Sequence, residues 1–135
     1  MSVVAEEMAA PPIARRKTVL VVDDNALIRR LIADFVGEMG WYAVEAASAA
    51  EAVEAVRQLK PDVVLMDIVM PGGTGLEALQ QIRADREVGS TPVVAVTTLA
   101  GATDEATFLA AGFDGYISKP LDLKRFADVL RQSLA

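Results

Sequence analysis

Acidic, hydroxyl and ammonium side chains directly follow four of the five apolar runs in this chain of 135 residues. Asp23 and Asp24 follow the first run, Asp67 the third, Thr97 the fourth and Lys119 the fifth. Carboxylates that lie close together repel one another, and Mg²⁺, which prefers oxygen ligands and shares them with phosphate, relieves that repulsion. Phosphoryl transfer needs little more than positioning and charge neutralisation. The set therefore predicts Mg²⁺-dependent chemistry in which Asp67 forms an acyl phosphate while Lys119 and Thr97 contact phosphoryl oxygens.

Composition excludes several other kinds of site. The chain has no cysteine and no histidine, so disulfides, thiolate or histidine metal sites and serine–histidine triads are impossible. The formal net charge of −6 argues against a nucleic-acid surface, and no apolar run approaches the roughly 20 residues that span a bilayer. The only clustered bases, residues 15–17, close an N-terminal stretch without the order of a signal peptide. We expect a flexible tail over residues 1–17, one cytoplasmic domain over 18–135, and neither nucleic acid nor membrane as a partner.

Five short apolar runs alternate with five amphipathic segments. The runs predict strands over residues 18–22, 42–45, 62–66, 92–96 and 115–118. The segments predict helices over residues 27–36, 48–59, 75–85, 103–111 and 122–134. Near-continuous apolar runs are typical of strands buried on both faces, and the alternation predicts a parallel sheet covered by helices on both sides. Ligands of such sheets bind at the carboxyl ends of the strands, where the five polar residues stand.

Four blocks in order resemble the response-regulator receiver family. They are VLVVDDN at residues 19–25, VLMDIVMP at 64–71 followed by Gly75, VAVT at 94–97, and YISKP at 116–120. The resemblance extends from residue 18 to residue 135. It implies a flavodoxin-like, doubly wound α/β fold with five parallel strands in the order 2-1-3-4-5 and five helices.

The resemblance also implies a role for each matching residue. Asp67 would be the phosphoacceptor. Asp24 would bind Mg²⁺ directly, Asp23 would do so through water, and the backbone carbonyl of Val69 would supply a further ligand. Lys119 would pair with the phosphoryl group. The proline after it, Pro120, is commonly cis in the family.

A switch pair, Thr97 and Tyr116, is the last implied feature. Thr97 moves toward the phosphoryl group and Tyr116 rotates inward behind it, which changes the surface formed by helix 4, strand 5 and helix 5. The chain would then be a signalling module rather than a turnover enzyme. We expect it to stand alone, since its last predicted helix ends at residue 134 and leaves no room for an effector domain. A histidine kinase or phosphotransfer protein would phosphorylate it, and the product would bind a protein target as a monomer or as a phosphorylation-dependent dimer.

Two positions depart from the usual pattern. Thr98 stands where the family usually has a very small residue that lines the approach to the phosphoacceptor, so we expect hindered access. Val69, two residues after Asp67, has no side-chain amide or carboxylate to orient an attacking water, and Leu99 is also apolar. We therefore expect slow loss of the phosphoryl group.

Other interpretations fit less well. A phosphatase of the haloacid-dehalogenase type also uses an aspartate nucleophile and Mg²⁺, but it needs a second acid where this chain has Val69. A pseudo-receiver would not retain all five polar residues. A dinucleotide site would need a G-x-G-x-x-G motif after the first strand, whereas the GGTG sequence at residues 72–75 follows the third.

Overall fold

Ten elements alternate strictly between strand and helix along the chain. A computed structural model describes residues 16–68, 70, 74–97, 102–119 and 122–134. The strands are β1 (Thr18–Val22), β2 (Tyr42–Ala46), β3 (Val63–Asp67), β4 (Val93–Thr97) and β5 (Gly115–Ser118). The helices are α1 (Ala26–Glu38), α2 (Ala49–Leu59), α3 (Gly75–Ala84), α4 (Ala102–Ala111) and α5 (Leu123–Leu134). Every predicted element is present, with ends within a few residues of those expected from the sequence.

The strands form one parallel sheet in the order β2-β1-β3-β4-β5. This confirms the predicted flavodoxin-like architecture and its strand order. The register places Asp67 opposite Val96, and Thr97 opposite Ser118. Because all strands run in the same direction, the residues that end β1, β3, β4 and β5 share one edge of the sheet.

Each face of the sheet has its own apolar cluster. On one face, Phe35 of α1 packs against Phe126 of α5 with ring centroids 5.3 Å apart. On the other face, α2, α3 and α4 cover a cluster that includes Val56, Leu79 and Phe108. The central strands β3 and β4 are buried along their whole length, as their continuous apolar runs predicted.

Local signals in the sequence fix several helix ends. The side chain of Asn25 accepts hydrogen bonds from two amides of the first turn of α1. The hydroxyl oxygen of Ser48 caps α2 by accepting the Glu51 amide at 3.1 Å. A reciprocal capping box, which the sequence analysis did not identify, joins Thr74 and Glu77 at the start of α3.

Among the described residues, three that lie at or just after helix ends have a left-handed backbone conformation. Gly40 and Gly112, which follow α1 and α4, have φ values of 93° and 117°. The third is Lys60, a non-glycine residue with φ of 47° at the end of α2. In the described part of the chain, no helix has the length and apolar character needed to cross a bilayer.

Candidate functional site

Three carboxylates converge at the shared edge of the sheet. Oxygens of Asp23, Asp24 and Asp67 lie within 4.8 Å of one another. Asp23 and Asp67 are buried and Asp24 is exposed. Close carboxylate oxygens form a hard donor set that suits Mg²⁺, which takes one or two protein carboxylates and fills its remaining positions with water or phosphate oxygens. The structure thus brings together the acids expected from the sequence, and the donor set fits the expected metal.

Lys119 supplies a cation to this acid cluster. Its ammonium nitrogen lies 2.7 Å from Oδ2 of Asp23 and 3.6 Å from Oδ2 of Asp67. Its backbone amide donates to the carbonyl oxygen of Thr97 at 2.8 Å, which extends the β4–β5 ladder by one bond. The end of β5 therefore places the ammonium between two of the carboxylates, where it offsets part of their mutual repulsion.

Asp23 is fixed at each of its polar positions. Its amide donates to the carbonyl of Ala46 at 3.2 Å, and its Oδ1 accepts the amide of Asn25 at 2.9 Å. Its backbone carbonyl accepts a hydrogen bond from the guanidinium of Arg29 at 2.8 Å, and its Oδ2 faces Lys119. Buried polar groups that are fully bonded hold a single geometry. The sequence analysis did not identify Arg29, because nothing in its spacing shows that its side chain turns back to the carbonyl of Asp23.

The first turn of α3 packs directly behind Asp67. The Gly75 amide donates to the carbonyl of Ile68 at 3.0 Å. A Cβ atom at Gly75 would clash with the carbonyl oxygen of Asp67 and would lie 2.8 Å from Cγ of Met66. Gly75 is therefore needed because backbone approaches backbone there, and this approach fixes the strand end that carries Asp67.

The two predicted switch residues lie on adjacent strands and on the same side of the sheet. Thr97 is fully buried at the end of β4. Tyr116 stands opposite Ala95, two residues before Thr97, so the side chains of Tyr116 and Thr97 point to the same face. Tyr116 points inward, with 5% of its surface exposed, and its ring stacks on Phe108 with centroids 6.1 Å apart.

The hydroxyl of Tyr116 is unusual among the buried polar groups. It is shielded from solvent and has no hydrogen-bond partner among the described residues. Burial raises the pKa of Tyr116 above its ordinary value of 10.0, and the nearby charges of Asp104 and Glu105 raise the pKa further. The packing of the ring on Phe108 holds this phenol inward, and burial disfavours its ionised form.

Four residues of the predicted site lie outside the described residues: Val69, Thr98, Leu99 and Pro120. The metal-ligating carbonyl of Val69, the hindered access at Thr98 and the cis-proline remain predictions. Residues 1–15 of the predicted tail also lie outside the described residues.

Comparison with known proteins agrees with the fold and shows the family. Residues 19–131 match the response regulator receiver domain family, and the chain belongs to that family. It is 36% identical over 118 residues to the polar-differentiation response regulator DivK of Brucella ovis, which covers 87% of this chain and 96% of the relative.

Solved structures show the same similarity. The chemotaxis response regulator CheY4 of Vibrio cholerae aligns with a TM-score of 0.81 at 27% identity, over 88% of this chain and 99% of that chain. A two-component response regulator of the LuxR family from Aurantimonas aligns with a TM-score of 0.81 at 29% identity, over 88% and 85% of the two chains.

Membership in this family decides against the two interpretations that belong to other families. Receiver domains are signalling domains that bind Mg²⁺ through an acidic pocket, and they are not turnover enzymes. The phosphatase and dinucleotide interpretations are therefore excluded.

Proposed function

We propose that this chain is a cytoplasmic receiver that accepts a phosphoryl group on Asp67 from a histidine kinase or phosphotransfer protein. In the phosphorylated form it binds a protein target through the surface of α4, β5 and α5. The main support is the placement of the Lys119 ammonium, 2.7 Å from Asp23 and 3.6 Å from Asp67, beside three carboxylates whose oxygens lie within 4.8 Å.

The proposed reaction is an in-line displacement at phosphorus. One carboxylate oxygen of Asp67 attacks the phosphorus of a phosphohistidine, the new O–P bond forms as the N–P bond breaks, and the donor's imidazole leaves. Lys119 then pairs with a phosphoryl oxygen, while the buried Thr97 is placed at the end of β4 to donate its hydroxyl hydrogen to another. When Mg²⁺ is bound by Asp23, Asp24 and Asp67, it neutralises phosphoryl charge.

The proposed response depends on the pair of Thr97 and Tyr116. A phosphoryl group adds about two negative charges and three acceptor oxygens at Asp67. Movement of Thr97 toward it changes the space next to Tyr116, whose ring position decides the shape of the α4–β5–α5 surface. The domain then has two states, and the phosphoryl group shifts their populations.

An apolar groove next to the site supports a protein as the phosphodonor. The groove has a volume of 460 Å³ and lies between α1 and α5, where Lys119 and Leu123 form part of its wall. Leu31 also lines it and is 60% exposed. An exposed apolar surface next to reactive groups is typical of a protein-binding site. Leu31→Asp should slow transfer from a protein donor and leave transfer from a small donor unchanged, whereas Leu59→Asp, on α2 at the opposite face, should change neither. Equal slowing with both donors would contradict this role.

The central proposal is tested by intact-mass measurement. The protein is mixed with acetyl phosphate with and without Mg²⁺, alongside Asp67→Ala. We expect one phosphoryl adduct that requires Mg²⁺ and is absent from the variant. An adduct that survives Asp67→Ala, or no adduct in the parent, would overturn the proposal.

The lifetime of the adduct in the parent and in Thr98→Ala tests the predicted slow exchange. A half-life of seconds, or equal rates in the two proteins, would contradict that prediction.

A further inference from the structure

The side chain of Arg29 joins the acidic turn after β1 to strand β2. One guanidinium nitrogen, Nη1, donates to the backbone carbonyl of Asp23 at 2.8 Å. The Nε of the same side chain donates to Oε1 of Glu45, on β2, at 3.1 Å. Both side chains are partly buried, with 18% and 28% of their surfaces exposed, so their positions are more restricted than those of a fully exposed ion pair.

The carbonyl that Arg29 binds belongs to the peptide bond between Asp23 and Asp24. A peptide unit is planar, so fixing its carbonyl fixes the directions in which the chain leaves toward both residues. On its other side, Asp23 is held by the bond from its amide to Ala46 at 3.2 Å. The β2 end thus holds the turn in two ways, directly through Ala46 and indirectly through Glu45 and Arg29.

We propose that Arg29 is a positioning residue for the divalent cation, which it does not itself contact. It holds the Asp23–Asp24 peptide so that both carboxylates are directed at the site before the ion arrives. The inference rests on the proposed function, in which these acids bind Mg²⁺. Partners that orient metal ligands typically change metal affinity about 10-fold or more when they are removed.

Charge alone predicts the opposite effect. A guanidinium near the acid cluster repels a cation, so its removal would strengthen Mg²⁺ binding if electrostatics were its only contribution. Positioning predicts that removal weakens binding. The sign of the change therefore separates the two explanations.

Arg30 provides a matched control on the same turn of α1. It donates to Oε2 of the same Glu45 carboxylate at 3.1 Å, and in the described part of the chain it makes no hydrogen bond to Asp23. Arg30→Met and Arg29→Met each remove one positive charge and one hydrogen-bond donor to the Glu45 carboxylate. They differ in whether the carbonyl of Asp23 loses its donor.

The experiment measures Mg²⁺ affinity by calorimetry for the full-length parent, Arg29→Met and Arg30→Met. Amide hydrogen exchange is followed without metal in the same proteins. We expect binding about 10-fold weaker in Arg29→Met and unchanged or slightly tighter in Arg30→Met. We also expect faster exchange of the Asn25 amide, which bonds to Asp23, in Arg29→Met alone. Equal or tighter binding in Arg29→Met, or the same loss in both variants, would overturn the inference.

Arg29→Lys keeps the test valid if Arg29→Met does not fold. A single ammonium retains the charge but lacks the fork that reaches both the carbonyl of Asp23 and the Glu45 carboxylate. We expect intermediate Mg²⁺ affinity at normal thermal stability, and parent-like affinity would count against the inference. A parent that binds no Mg²⁺ would instead overturn the proposed function, so the two failures are distinguishable.

Discussion

Asp23 and Tyr116 are both buried polar residues, and they differ in how their polar atoms are satisfied. The amide, carbonyl and both carboxylate oxygens of Asp23 have partners. The hydroxyl of Tyr116 has none among the described residues. A satisfied buried network favours one geometry, whereas a buried polar group without a partner costs about 1–3 kcal/mol that another conformation can recover. We therefore predict that the acid cluster is the fixed part of this domain and that Tyr116 is the part able to move.

Removing the cation from the fixed part should have the largest effect. Lys119→Met leaves Asp23 and Asp67 without the ammonium between them, and breaking such a buried pair costs about 3 kcal/mol. We expect urea unfolding to show this loss without metal and Mg²⁺ to restore part of it. Lys60→Met, which removes an exposed ion pair with Glu87, should change stability little. Equal losses of stability in Lys119→Met and Lys60→Met would contradict a specific role of the Lys119 ammonium in offsetting the repulsion between the carboxylates.

Disturbing the backbone behind Asp67 should cost somewhat less. Gly75→Ala places a methyl group against the carbonyl of Asp67, and overpacking of this kind costs about 2 kcal/mol. Thermal unfolding measures the change. Gly37→Ala is the matched control, because nothing lies within 4 Å of its Cβ position in α1 and alanine favours helix there. A stable Gly75→Ala protein with normal phosphorylation would contradict the tight fit at this edge.

The mobile part should respond in the opposite direction. Tyr116→Phe keeps the ring stacked on Phe108 and removes a hydroxyl that has no partner in the part of the chain that the structure describes, so we expect stability to rise by about 1 kcal/mol. Urea unfolding at neutral pH measures it. Tyr42→Phe, whose residue is 38% exposed, should change stability little. A loss of stability in Tyr116→Phe would show that the hydroxyl has a partner in solution.

The smallest effect is a difference in alkaline stability. The pKa of Tyr116 is raised above 10.0 in the folded protein, so near and above that pH the unfolded state loses this proton more readily than the folded state. The contribution of Tyr116 is therefore complete below about pH 10 and is lost as the pH rises toward its folded pKa. The stability of the parent minus that of Tyr116→Phe should be constant below pH 10 and should fall above it. A constant difference up to pH 11 would contradict the raised pKa.

The repeating pattern of the sequence was sufficient to predict the sheet and the edge where the acids meet. Continuous apolar runs located β1, β3 and β4, and the parallel direction of the strands then placed Asp67, Thr97 and Lys119 together. The order of the strands came from family resemblance. Periodicity locates each strand, but it does not determine which strands are neighbours.

Contacts that depend on side-chain direction could not be predicted. Glu45 is one example, since it pairs with both Arg29 and Arg30. That pairing requires the β2 register beside β1 and the rotation of α1, and neither is visible in the spacing of residues. The inward position of Tyr116 likewise depends on packing with Phe108.

The left-handed Lys60 has a practical consequence for working with this protein. A side chain in that backbone region costs about 1 kcal/mol that glycine avoids, and the ion pair that Lys60 would give up is exposed. Lys60 lies on the amino-terminal side of the sheet, remote from the acids, so Lys60→Gly should raise the free energy of unfolding without disturbing the site. A Lys60→Gly background offers a sturdier scaffold in which damaging variants such as Lys119→Met can be kept folded for assay.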